Sequence, residues 1–112
     1  MIDRYRLDHH LNNGETEWVM CAANYHDDGI EHYHQPFNIA TGYVIGGWRH
    51  GNCGMVYMAT NPNATCWDDC VQGFLTTKNR FLDRKEALEL VKHTGQLKNE
   101  IMGGMLTSED LW

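Results

Sequence analysis

Between Asp83 and Gly95 the chain spells a helix with both of its ends marked. Asp83 is an N-cap residue, and Glu86 three positions on supplies the reciprocal carboxylate of a capping box. Ala87, Leu88, Leu90 and Val91 give the segment an apolar face. Gly95 can take the left-handed conformation that ends a helix. Directly before it, residues 71–75 and 80–82 flank the polar Thr76-Thr77-Lys78-Asn79, the pattern of a hairpin. A strand, turn, strand and helix within 112 residues leave room for one modest core. The chain is therefore predicted to be a single α+β domain over residues 1–112, a small antiparallel sheet with two helices at about 51–60 and 84–94.

The remaining elements are read the same way. Residues 17–25 form a mostly buried strand. Asp27-Asp28-Gly29 predicts a hairpin turn, with residues 30–34 as the partner strand ending before Pro36. Residues 37–41 connect to a short apolar strand end at 42–48. Cys53, Val56, Tyr57 and Thr60 recur at helical spacing, while Gly54 argues weakly for a strand; the helix is preferred. Asn61-Pro62 ends it. Asn12-Asn13-Gly14 reads as a turn, and Thr65 with Asp68 as a short cap. Residues 96–106 read as a mobile connection. Residues 106–112, apolar at both ends and acidic between, are expected to dock back onto the body.

Charge sets limits on partners. The formal net charge is −6, with seven acidic and two basic side chains in residues 1–36. Such a chain is a poor non-specific binder of nucleic acid. No apolar run approaches the roughly 18 residues that span a bilayer. The first ten residues lack the apolar core of a secretory signal, which predicts a cytosolic chain without membrane contact. Cys21, Cys53, Cys66 and Cys70 are then expected as reduced thiols in or near the core.

Against this acidic background, Lys78, Arg80, Arg84 and Lys85 gather four of the nine basic residues around one hairpin. Cations in a first helical turn oppose the helix dipole, which calls for carboxylate partners or a bound anion. Gln72, Phe74 and Thr76 alternate on the preceding strand, able to present an amide, a ring and a hydroxyl. Gly46-Gly47-Trp48-Arg49-His50-Gly51 is a glycine-rich turn feeding a helix N-terminus, where free N–H groups favour an anion and Arg49 adds a bidentate fork. Both sets read equally as surface charge and half-buried sheet. His32 and His34 project to one side of the predicted strand, and with His50 they make an alternative metal set. No Gly-x-Ser-x-Gly is present and Ser108 is the sole serine, so no catalytic residue is assigned; a Cys53–His50 pair is the nearest thiol–imidazole arrangement.

Arg49-His50-x-Asn-Cys53, Gln72-Gly-Phe-Leu-Thr76, Asn79-Arg-Phe-Leu-Asp-Arg-Lys-Glu-Ala87, Gly95-Gln96 and Leu106-Thr-Ser-Glu-Asp-Leu-Trp112 resemble a small uncharacterised protein recurring in tailed bacteriophages. The resemblance covers roughly residues 42–112 and implies an accessory, counter-defence protein acting in the cytoplasm of the infected bacterium. Joined to the residue reading, the expectation is a homo-oligomeric binding protein that sequesters a small phosphorylated nucleotide of bacterial immunity. Its ligand-binding residues would be Trp48, Arg49, His50, Gln72, Phe74, Arg80 and Arg84, with no cofactor. The alternatives are a metal-dependent phosphodiesterase using His32, His34 and His50, with Asp28 or Glu31 orienting water, and an inhibitor that docks an acidic N-terminal face on a host protein.

Overall fold

A computed structural model describes residues 17–63, 70–98 and 104–112. The turn at 12–14, His9-His10, Cys66 and the Thr65–Asp68 cap lie outside the described residues. Within them the chain forms strand β1 (Val19–His26), strand β2 (Tyr43–Gly47), helix α1 (His50–Thr60), strand β3 (Cys70–Thr76), strand β4 (Phe81–Asp83), helix α2 (Arg84–Thr94) and a 3-10 turn at Ser108–Asp110. The four strands make one antiparallel sheet in the order β2-β1-β3-β4. The α+β class and both predicted helices are present.

Register decides which residues share a face. Ala22 stands opposite Phe74, and Phe74 opposite Leu82, so these three side chains project together. Ala87, Leu88 and Val91 of α2 cover them, and Leu106 and Leu111 complete the cluster from the C-terminal segment. Helix α2 holds because its ends are built as its sequence requires. The Asp83 carboxylate accepts from the N–H groups of Lys85 and Glu86, and the Glu86 side chain reaches back to the Asp83 N–H. Gly95 closes the helix at φ +75°.

The hairpin between β3 and β4 also forms as expected. The Asn79 N–H donates to Thr76 O at 3.0 Å, and Asn79 takes the left-handed φ of 57° that asparagine tolerates. The partner strand expected at 30–34 does not form. Asp27 and Asp28 do turn the chain, their carboxylates accepting from the Gly29 and Ile30 N–H groups. Residues 30–34 then run as a loop, and β1 pairs instead with β2 and β3. Two side-chain amides explain the loop's path. Gln35 bonds to the carbonyls of Ile39 and Ala40, and Asn38 exchanges two hydrogen bonds with the Phe81 backbone, pairing the open side of β4.

The expected mobile connection needs the same correction at both ends. Gln96 accepts from Val19 N–H at 2.9 Å and donates to Val19 O at 2.8 Å, and Leu106 is fully buried. Residues 99–103 lie outside the described set.

One buried polar group has a measurable consequence. His26 on β1 is stacked 4.0 Å from the Tyr57 ring and 5.4 Å from the Tyr43 ring, and neither of its ring nitrogens has a hydrogen-bond partner. Burial holds it below its ordinary value of 6.5. The unfolded chain therefore takes up a proton near pH 6.5 that the folded chain refuses. This contribution to stability is fully present above that pH, falls as the pH drops toward the lower folded-state value, and then levels off. His26→Phe keeps the stacking and removes the titration. Its Tm should fall less than that of the wild type between pH 7.5 and pH 5; parallel profiles would refute the assignment.

Candidate ligand-binding site

The junction between β2 and α1 places Trp48, Arg49 and His50. Arg49 is the N-cap residue with extended backbone, and its N–H donates to the Asn52 side chain at 3.0 Å. His50 opens the helix and turns inward, because its ring fits edge-on over buried Phe74 at a centroid distance of 5.2 Å. Asn24 on β1 fixes this end of α1 by donating to His50 O at 3.3 Å. Cys53 seats the next turn against the sheet, its thiol 3.7 Å from Ala22 O.

The His50 imidazole has a single consistent protonation state. Nε2 lies 2.7 Å from Gly73 O, which can only accept, so Nε2 carries the proton. Nδ1 faces the Arg84 guanidinium at 3.4 Å, which can only donate. Burial lowers the His50 pKa, and the neighbouring Arg84 charge lowers it further, against the opposing pull of the Gly73 carbonyl and Glu109. His50 is therefore a neutral spacer between a carbonyl and a cation.

Arg84, the first residue of α2, is the hub. It donates to Leu106 O at 2.7 Å, to the Gln72 side-chain oxygen and toward His50. Arg49 donates to Trp112 O at 2.7 Å, while its Nη1 is buried with no partner. One cation of each expected cluster, Arg49 and Arg84, thus reaches the segment 106–112, with Glu109 in the electrostatic reach of Arg49, His50 and Arg84. Trp48 joins from outside, edge-on to the Trp112 ring at 6.0 Å and 68% exposed.

Two of the expected binding residues stand elsewhere. Arg80 forms a two-pronged pair with Glu17 at 2.7 and 2.8 Å, beside the Thr76 hydroxyl that donates to the same carboxylate. Burial alone would raise the Glu17 pKa; the Arg80 and Thr76 hydrogen bonds outweigh it and hold the carboxyl below the usual range. Phe74 has no exposed surface, so its ring packs against His50 and Trp112 and is closed to a ligand.

The metal set is not assembled. His32 is bonded to Asp28 at 2.7 Å, while both His50 nitrogens are committed within the core. Among the described residues no group of three or more His, Cys, Asp or Glu side chains is placed to hold a metal ion. The Cys53–His50 pairing fails as well, since burial pushes the Cys53 thiol up to about 11 and the imidazole is engaged elsewhere.

An open cleft of about 420 Å³ lies beside the hub, lined by Cys70, Gln72, Asp83, Arg84, Lys85 and Met105. The model of the family described as phage T4 y16D protein matches residues 18–112. The chain belongs to this family. No curated protein and no solved structure matches it. The matched stretch holds every described strand and helix, the Arg84 hub and the cleft. The family is a phage protein family. Among the described residues no helix is long and apolar enough to cross a membrane. Cys70, Asp83, Lys85 and Met105 are the lining residues that the sequence does not single out as ligand contacts; Cys70 reads there as a core thiol and Asp83 as a helix cap. Lys85 is visible in the sequence only as part of a basic run, and Met105 reaches the cleft because the C-terminal segment folds back.

Proposed function

We propose that this phage T4 y16D family protein is an accessory protein that binds, without cleaving, a small phosphorylated nucleotide of bacterial immunity in the cleft between β3 and the start of α2. The observation that carries the reading is the meeting of Arg84 and Lys85 with Gln72 in one open cleft. Two cations answer a phosphate, and the Gln72 amide N–H groups offer donors to a polar base edge. The net charge of −6 disfavours long polyanions and leaves a small anion as the better match to a local basic patch. Membership in a phage family supports action inside the infected bacterium, where sequestering such a signal would benefit the phage.

Native mass spectrometry with cyclic and ADP-ribose-type nucleotides tests the reading. An intact nucleotide adduct, released unchanged on denaturation, is the expected result. Lys85→Ala should weaken it at least tenfold, the loss of one charge-assisted hydrogen bond of about 1.5–3 kcal/mol. Arg84→Lys tests the fork at the same site while keeping the charge, and should also weaken binding. A protein blind to the whole panel, or unchanged affinity in both variants, sinks the assignment.

A further inference from the structure

Helix α1 turns its apolar side outward. Met55 is 70% exposed, Val56 52% and Met58 43%. The inward side is carried by buried His50, Cys53 and Gly54 and by Tyr57, whose ring stacks on His26. The helix His-Gly-Asn-Cys-Gly-Met-Val-Tyr-Met-Ala-Thr contains no Asp, Glu, Lys or Arg at all. On a chain of net charge −6 this is an unusual surface: an exposed helix with methionines where charges normally stand.

We propose that the outer face of α1 pairs with the same face of a second copy about a two-fold axis. Charge argues for this occupant. Two copies at −6 repel through most of their surfaces, and an uncharged helix lets them approach without opposing like charges inside a screening length of about 8 Å. The side-chain pattern argues for it too. Gly51, Met55 and Ala59 are all exposed and fall at i, i+4 and i+8 on one stripe. Antiparallel pairing centred on Met55 sets Met55 against its own mate and Gly51 against Ala59, so each large side chain is flanked by room. This is the self-complementarity that a two-fold contact requires. One 11-residue helix face is smaller than the roughly 800 Å² per partner of a standard interface, so the dimer is concentration-dependent.

Sedimentation velocity on the full chain over a rising concentration series reads the association. A reversible monomer–dimer equilibrium is expected. Met55→Glu and Met55→Lys, each checked for retained fold by circular dichroism, should each raise the dissociation constant at least tenfold. Mixing the two variants should restore the dimer, because position 55 meets itself across the axis. A wild type that stays monomeric throughout, a dimer indifferent to both substitutions, or a mixture no tighter than either variant alone would overturn the proposal.

Discussion

Gly73→Ala is expected to break the pairing of β3 with β4. A Cβ at Gly73 would stand 2.0 Å from Leu82 O, 2.7 Å from the tip of the Phe81 ring and 3.0 Å from the Asp83 Cα. Real Cβ atoms essentially never come within 3.0 Å of another atom, and two of these three obstacles are backbone. A side chain could rotate away; a paired strand must move as a unit. Overpacking in a core costs about 1–3 kcal/mol and occasionally more. With backbone in the way, a loss of about 3 kcal/mol or more is expected in urea unfolding. The damage should spread beyond the hairpin. Asp83, the cap of α2, stands opposite Gly73, and Gly73 O holds the His50 imidazole. A stability within about 1 kcal/mol of wild type would mean that the hairpin can open to admit a methyl group.

The second large effect is expected from Phe74→Ala. Phe74 is fully buried and is the ring on which His50 and Trp112 rest, at centroid distances of 5.2 and 6.5 Å. Truncating a buried phenylalanine costs about 3–5 kcal/mol. That is a large fraction of the roughly 5–15 kcal/mol that typically holds a domain together. The cavity would lie directly beneath the N-terminus of α1 and the docked C-terminal segment. Unfolding in denaturant should shift to lower midpoint, and the near-ultraviolet signal of Trp112 should weaken even in the folded protein. A loss below about 1 kcal/mol would show that α1 and the C-terminal segment collapse into the space.

The legible parts of this fold are the local ones. Asp83, Glu86 and Gly95 specify α2 through contacts within a few residues, so the helix can be read from one stretch of chain. The same holds for the turn at 76–79, where asparagine adopts the backbone it tolerates. The loop at 27–42 departs from its expected strand for the opposite reason. Its turn chemistry at Asp27 and Asp28 is real, but whether 30–34 pairs depends on Gln35, Asn38 and a strand that comes later. The candidate site divides along the same line. Arg84, Gln72 and His50 do meet, because strand alternation and helix caps place them together, and Arg49 reaches the same C-terminal segment at Trp112. Arg80 carries the same charge, yet its partner Glu17 is 63 positions away and no local pattern announces it. Phe74 reads as an available ring because alternation gives a side and not a depth. His50 reads as a donor for an anion because its two neighbours, a carbonyl and a guanidinium, come from other elements.

The Gln96 clamp gives this chain a particular order of assembly. Its amide substitutes for a neighbouring strand at Val19, joining positions 77 apart in sequence. The start of β1 therefore completes its hydrogen bonds only once the chain beyond α2 has been brought back to it. Closing so long a loop is entropically costly, and the cost is met only when the rest of the sheet already holds the ends together. Folding is therefore expected to run from the hairpin and α2 outward, with the start of β1 locked late by a residue beyond α2.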